Sequence, residues 1–358
     1  MKKGWEIKKL GEVCELVYGK PLDKSKRNQN GKYPVYGANG IKAYTDEFYY
    51  DEKTIIIGRK GSAGEINLTE EKFWPLDVTY FVKLDKTKIN LNFLFFLLSL
   101  CNLPKLAKGV KPGINRNDVY QIQIPIPPLP EQKRIVSILD RAFSAIEQSR
   151  NNAEQNLKNA KELFQSKLQA IFDNGKLKIE NGEWEEKKLG DCFRLKSGDG
   201  LTSKKMNSEG DIPVYGGNGI AGKHNKYNLD GNFVIIGRVG ALCGIARNIK
   251  EKIWLTDNAF KVIEYKVKFD NSFLTYLLNY KNLRQFARQA AQPVISNSSL
   301  KDVILFYPKS LQTQKQIVSQ LEKLQAETKK LEAIYQKKIE DLDELKKSIL
   351  QKAFMGGL

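Results

Sequence analysis

Trp5-Glu6-Ile7-Lys8-Lys9-Leu10-Gly11 returns as Trp184-Glu185-Glu186-Lys187-Lys188-Leu189-Gly190, an offset of 179 residues. Pro34-Val35-Tyr36-Gly37-Ala38-Asn39-Gly40-Ile41 returns at the same offset as Pro213-Val214-Tyr215-Gly216-Gly217-Asn218-Gly219-Ile220. So does Ile56-Ile57-Gly58-Arg59, as Ile235-Ile236-Gly237-Arg238. Trp74 and Asp77 match Trp254 and Asp257 at 180, and Gln132-Lys133 and Ile135-Val136-Ser137 match Gln314-Lys315 and Ile317-Val318-Ser319 at 182. The order of blocks never changes. A period this long exceeds a solenoid unit, so the chain is a duplicated domain pair with small loop insertions.

Each copy has two parts. The first carries short β-type runs, Lys53–Ile57 and Asn232–Ile236, broken by Gly-rich turns. One apolar helix-like segment follows, Asn92–Leu100 or Ser272–Tyr280. Asn39-Gly40 and Asn218-Gly219 read as two-residue hairpin turns with positive φ at both positions.

The second part is helical. Pro125, Pro127, Pro128 and Pro130 close the first globule, and Glu131 to Phe172 then holds no Gly or Pro. Apolar residues recur mostly at gaps of three or four: Ile135, Leu139, Ala142, Ile146, Ala153, Leu157, Ala160, Phe164, Leu168 and Ile171. That is one stripe on a helix of about 40 residues, roughly 60 Å. The closing segment repeats it with Ile317, Leu321, Leu324, Thr328, Leu331, Tyr335, Ile339, Leu342, Leu345, Ile349 and Ala353. Such a stripe needs covering, and the partner expected is the other copy's helix, as a coiled coil. Gly175 and Gly356-Gly357 are the expected stops. The domain boundaries expected are 1–128 and 181–310 for the globules, and 129–180 and 311–358 for the long helices.

The 358 residues suit about two domains. With Lys+Arg 59 against Asp+Glu 41, the net charge of +18 favours a polyanionic partner: DNA, RNA or an anionic membrane. The excess sits in the globules, +7 on 1–128 and +7 on 181–310, against +2 on each helical segment. A basic leucine-zipper reader would load its helices instead. The apolar run near Leu91–Cys101 is far short of the ~20 residues a membrane span needs, and Met1–Glu6 has no signal-peptide core. Cys14, Cys101, Cys192 and Cys243 are dispersed, so a reducing cytoplasm is expected, with neither a disulfide framework nor a Cys-based zinc site. His224 is the single histidine, which argues against His-based metal sites and a Ser-His-Asp triad.

No residue reads as a nucleophile or an activated base, and no metal site is expected. Gly217-Asn218-Gly219-Ile220-Ala221-Gly222-Lys223-His224 resembles a phosphate-binding loop, but His stands where Ser or Thr must hold Mg²⁺, and no helix pattern follows. Asp51 with Glu70 and Lys72 resembles an acidic nuclease set, but the second copy has Lys250-Glu251-Lys252 there. The motifs of a DNA amino-methyltransferase are missing.

Two patches remain for binding. Gly58-Arg59-Lys60-Gly61-Ser62-Ala63-Gly64 and Gly237-Arg238-Val239-Gly240 end β runs. Glycines let backbone N–H groups approach an anion, and Arg forks onto phosphate or guanine. A tight turn with an exposed Arg fits the same residues. The second patch is Lys108-Gly109-Val110-Lys111-Pro112-Gly113-Ile114-Asn115-Arg116-Asn117. Its counterpart runs from Arg288 and Gln289 through Gln292 to Ser296, Asn297 and Ser298, and both are rich in amide and basic groups that read base edges. The candidate DNA contacts are therefore Lys20, Tyr36, Asn39, Arg59, Lys60, Ser62, Lys108, Lys111, Asn115 and Arg116 in the first copy. In the second they are Lys204, Lys205, Tyr215, Asn218, Arg238, Arg288, Gln289, Gln292, Ser296 and Asn297. The paired Trp5/Trp184 and Trp74/Trp254 read as core, not as stacking platforms.

The combination of Trp-Glu-x-Lys-Lys-Leu-Gly opening each half, Pro-Val-Tyr-Gly-x-Asn-Gly-Ile, Ile-Ile-Gly-Arg, and Pro130-Glu131-Gln132-Lys133-Arg134-Ile135-Val136 leading into a long helix resembles a type I restriction–modification specificity subunit. The resemblance covers essentially the whole chain. It implies an α+β fold: two tandem mixed α/β target recognition domains, separated and joined by two long helices packed as an antiparallel coiled coil, with internal pseudo-two-fold symmetry. It implies that each globule reads one half of a bipartite, gapped double-stranded DNA target. The helices would act as spacer and dock methyltransferase subunits, with restriction/translocase subunits as further partners. The chain would be no enzyme and bind no cofactor: S-adenosylmethionine, ATP and Mg belong to the partner subunits. One departure is Gln312-Thr313-Gln314-Lys315 in place of Pro130-Glu131-Gln132-Lys133. Because the loops Lys20–Tyr33 and Lys108–Asn117 differ from their counterparts, the two half-sites should differ and the target should be no palindrome. The competing readings are a self-sufficient nuclease or methyltransferase with unfamiliar motifs, and an architectural DNA binder.

Overall fold

The computed structural model describes residues 4–173, 183–288 and 292–357. Gly175 and Gln289 lie outside them. The chain divides into two compact units, one of residues 1–154 with 337–358 and the other of 155–336.

Unit 1 contains a four-stranded antiparallel sheet in the order Cys14–Tyr18, Thr79–Leu84, Ile55–Gly58, Ile66–Leu68. A three-stranded sheet pairs Tyr33–Gly37 antiparallel with Gly40–Thr45 and parallel with Trp74–Pro75. Glu6–Lys9 pairs with Gln123–Ile126. The apolar segment forms the helix Leu91–Leu100, capped by Asn90, whose side chain accepts the Phe93 N–H at 3.0 Å. It buries Phe93, Leu94, Leu97 and Leu98 against Ile55, Ile57, Tyr80 and Val82 of the sheet.

Unit 2 repeats this plan. Its four-stranded sheet runs Arg194–Ser197, Ala259–Ile263, Phe233–Gly237, Ala246–Ile249, and its three-stranded sheet is built on Ile212–Gly216. The helix Asn271–Tyr280 is capped by Asp270 in the same way.

The long helices are Leu129–Phe172 and Leu311–Phe354, 44 residues each. In unit 1, Ile135 and Leu139 near the start of the first helix enter the core together with Ala353 and Phe354 from the end of the second. Phe354 meets Phe93 at 5.1 Å between ring centroids. The segments run antiparallel there: Lys346 lies over the Phe143 ring, and Arg150 pairs with Asp343 at 2.6 Å. In unit 2 the roles reverse. Leu168, Ile171 and Phe172 close the first helix, and Ile317, Val318 and Leu321 open the second, all within one core. The C-terminal stop is a glycine cap: Gly356 has φ +79°, and the Gly357 N–H donates to the Lys352 carbonyl at 2.9 Å. No helix among the described residues is long and apolar enough to cross a membrane.

Two expectations are corrected. The hairpin turns are Ala38-Asn39 and Gly217-Asn218, with positive φ falling only on the following glycines, Gly40 (+103°) and Gly219 (+98°). A single glycine after the turn supplies the twist, so the Asn need not enter the left-handed region. In the second helix Leu331 and Leu345 are 37% and 47% exposed, while Thr328 is buried. A two-helix seam covers a narrow strip, and a 3.6-residue period drifts off it.

Candidate functional site

The two patches singled out in the first copy are one surface in unit 1. The Ile114 N–H donates to the Arg59 carbonyl at 3.0 Å, and the Gly61 N–H to the Pro112 carbonyl at 3.0 Å. Lys60 bridges to Gly113, and Lys108 closes its own hairpin on Gly113 through paired hydrogen bonds. The hairpin tip carries Val110, which is fully exposed, beside exposed Lys108 and Lys111. Unit 2 has the same bonds: Ile295 N–H to the Arg238 carbonyl at 2.9 Å, Gly240 N–H to the Pro293 carbonyl at 3.1 Å, and a Val239–Val294 bridge. There Arg288 bridges to Val294.

Arg59 and Arg238 hold equivalent positions. Arg59 Nε donates to the Asp77 carbonyl at 3.0 Å, and its guanidinium lies 5.2 Å from the Tyr18 ring centroid. Arg238 Nη1 donates to the Asp257 carbonyl at 3.3 Å and to Ser197 Oγ at 3.5 Å, while its Nε is buried without a partner. Arg116 reaches the other side of the first patch. Its Nη1 donates to the Leu16 carbonyl at 3.3 Å, and its guanidinium also lies over Tyr18, at 5.3 Å. Tyr80 packs edge-on to Tyr18 at 5.0 Å and donates to the Ile114 carbonyl at 3.1 Å. Burial pushes the Tyr80 phenol up to about 12, so it stays a neutral donor.

The remaining candidates divide by environment. Lys20, Asn39, Lys60, Lys204, Lys205, Gln292 and Arg288 are exposed, and Ser62 is half-buried. The Lys20 ammonium sits 4.6 Å over the Tyr49 ring. Lys108 pairs with Asp118 at 2.9 Å, a bond that an exposed lysine gives up at little cost. Asn218 is exposed, but its Oδ1 accepts the Leu242 N–H at 2.9 Å. Asn115 and Ser296 are helix N-caps, bonded to Asn117 and Ser299, and Asn297 Nδ2 donates to the Leu195 carbonyl. Tyr36 and Tyr215 are corrections. They are 4% and 9% exposed, and the Tyr36 hydroxyl accepts the Glu70 N–H at 3.1 Å. Neither ring can reach a ligand without leaving its core.

Unit 2 also has a groove of about 880 Å³, lined in part by Thr202, Ser203, Asn218, Asp257, Asn258 and Gln292. These offer donors and acceptors in roughly equal measure, which suits base edges. The loop-like motif Gly217–His224 is the turn and returning strand of the hairpin on its wall. The indoles of Trp74 and Trp254 donate to the Lys20 and Asp199 carbonyls and so tie down the loops at the ends of strands Cys14–Tyr18 and Arg194–Ser197. Among the described residues no three His, Cys, Asp or Glu side chains are grouped to hold a metal.

Tyr18, Asp257, Asn258 and Thr202 were not anticipated. Tyr18 could have been found, since Tyr18-Gly19 aligns with Ser197-Gly198: an aromatic at a strand end in one copy only.

Duplicated globules with loop-built polar faces, each packed on two segments of long helix, define a protein of two tandem target-recognition-type domains. The chain belongs to the type I restriction–modification DNA specificity domain family, whose profile matches residues 2–155 and again 181–341. It is 30% identical over 217 residues to the type I restriction enzyme EcoprrI specificity subunit of Escherichia coli, covering 57% of this chain and 52% of that protein. It is 25% identical over 399 residues to the MjaVIII specificity subunit of Methanocaldococcus jannaschii, covering 98% and 92%. The chain thus spans about half the length of several curated relatives it matches, and nearly all of others. A solved structure concerning complex assembly and conformational transition of the type I restriction–modification system contains a similar fold, with TM-score 0.76 at 19% identity over 100% of this chain and 99% of that one.

Proposed function

We propose that this chain is a DNA sequence-specificity subunit in which the paired-loop face of each unit reads one half of a bipartite, gapped target. The observation that carries this is the repeated frame with unlike furnishing. The same backbone bonds join the two loops in both units, yet the frame presents Arg59, Lys60, Lys111 and Arg116 in one and Arg238, Val239, Gln292 and Asn297 in the other. A shared frame fixes how a face meets the duplex, and unlike side chains give it a different sequence to read.

The long helices serve as docking surfaces for methyltransferase subunits, with restriction/translocase subunits joining that assembly. The chain itself is non-catalytic. S-adenosylmethionine, ATP and Mg act on the partner chains. Its working place is the cytoplasm, where host DNA is.

Methylome sequencing tests this: a host expressing the chain with its cognate methyltransferase subunit, against one expressing that subunit alone. The expected result is a gapped adenine-methylation motif with two unlike halves, appearing only with this chain. No new motif despite co-purifying subunits would overturn the specificity role, and a symmetric palindrome would overturn the unlike halves.

A further inference from the structure

We propose that Tyr18, Arg59 and Arg116 of unit 1 form a phosphate clamp for the DNA backbone beside the first half-site, and that unit 2 carries only half of it. This rests on the DNA-reading role above.

Both guanidiniums are held against one aromatic ring, 5.2 Å and 5.3 Å from its centroid. Each is anchored by a single hydrogen bond to a backbone carbonyl, of Asp77 or Leu16. A guanidinium has five N–H donors, so most of both sets remain available. Among the described residues neither makes a salt bridge to a carboxylate. Both charges therefore lack a carboxylate counter-charge, and a phosphate bound at this ring would supply it. A phosphate fits better than a base edge. It has several acceptor oxygens and a full charge, whereas guanine offers two acceptors that one arginine satisfies alone. Tyr18 is 46% exposed, so the platform is open to solvent, and Tyr80 fixes it from behind.

The second copy preserves the scaffold and loses half of the charge. Arg238 takes the place of Arg59 and binds the Asp257 carbonyl. Asn297 takes the place of Arg116 and donates to the Leu195 carbonyl at 3.1 Å, as Arg116 does to Leu16. Ser197 replaces Tyr18. One guanidinium remains, 5.4 Å from the ring centroid of Phe260, a buried ring in place of the exposed tyrosine.

The experiment uses the complete assembly of this chain with its methyltransferase subunits. Binding to the methylome-defined duplex is followed by fluorescence anisotropy between about 50 and 200 mM salt. R116A is expected to lower the slope of log K against log[salt] by about one, while R116K keeps it. N297R with S197Y is expected to raise the slope by about one. A single neutral methylphosphonate at the clamped phosphate should weaken wild type as R116A does, and add no further loss in R116A. An unchanged slope in R116A, with specific wild-type binding intact, overturns the clamp alone. So does an unchanged slope with a relaxed base preference in the methylome, since Arg116 would then read a base. Absence of any sequence-specific binding by the wild-type assembly overturns the DNA-reading role, and the clamp with it.

Discussion

The side-chain carbonyl of Gln132 accepts the backbone N–H of Asn90 at 2.8 Å, and Asn90 caps the apolar helix of unit 1. The Gln132 amide also donates to the Lys88 and Pro127 carbonyls, at 3.0 and 2.8 Å, with the residue fully buried. Gln314 repeats all of this in unit 2 with Asp270, Lys268 and Pro308. The second helix start differs from the first, but it keeps the glutamine that hydrogen-bonds the helix to its globule.

Replacing Gln132 or Gln314 with Leu keeps the volume and strands three backbone groups, one buried and two partly buried. The expected loss is about 2–4 kcal/mol in chemical denaturation. K133A, at an exposed neighbour, should fall within about 0.5 kcal/mol of wild type. A Leu variant as stable as K133A would show that water satisfies those groups.

The aromatic ends of the long helices give a second prediction. Phe354 packs on Phe93, while Phe172 lies 5.7 Å from Phe273 and stacks on Tyr280 at 5.2 Å. Truncating a buried Phe costs about 3–5 kcal/mol. By hydrogen exchange, F354A should deprotect Leu91–Leu100 and leave Asn271–Tyr280 unchanged, and F172A should do the reverse. Equal deprotection of both helices by either variant would contradict the division into units.

The architecture was legible because duplication and helical stripes are periodic signals, and both survive in the packing. The site was legible only in part. Blocks repeated between copies, such as Pro34–Ile41, suggest a binding surface at Tyr36 and Tyr215, yet repetition there records a shared core. The differing residues carry the faces, and Tyr18 gives no repeat signal because its counterpart is Ser197. That the Arg59 and Arg116 loops touch was not readable at all. The joining bonds are between backbone groups, which leave no residue-type signature.

The free cysteines should make stability fall at alkaline pH. Burial pushes the Cys14 thiol up to about 12, and Cys101 and Cys192 to about 11, from an ordinary 9.0. Above pH 9 the unfolded chain loses these protons before the folded one does. The stabilisation is therefore complete below about 9 and is lost as pH rises toward 11–12. Thermal midpoints should be flat from about pH 7 to 8.5 and decline beyond it, less steeply in a C14S/C101S/C192S variant. Rapid reaction of all three native thiols with a disulfide reagent at pH 8 would contradict this.

Val110 separates folding from binding on the unit 1 face. Its side chain is fully exposed at the tip of a hairpin closed by Lys108 and Gly113, so it contributes no buried area to the fold. V110D should leave thermal stability unchanged within about 0.5 kcal/mol. The new carboxylate lies between Lys108 and Lys111, where a duplex on this face would bring its phosphates. The anisotropy assay should show at least a tenfold loss of affinity, about 1.4 kcal/mol. Methylation at residual targets should keep the second half-site motif intact, because unit 2 is untouched. Undiminished binding by V110D would place the duplex elsewhere on unit 1, and a loss of stability would mean that the tip is packed.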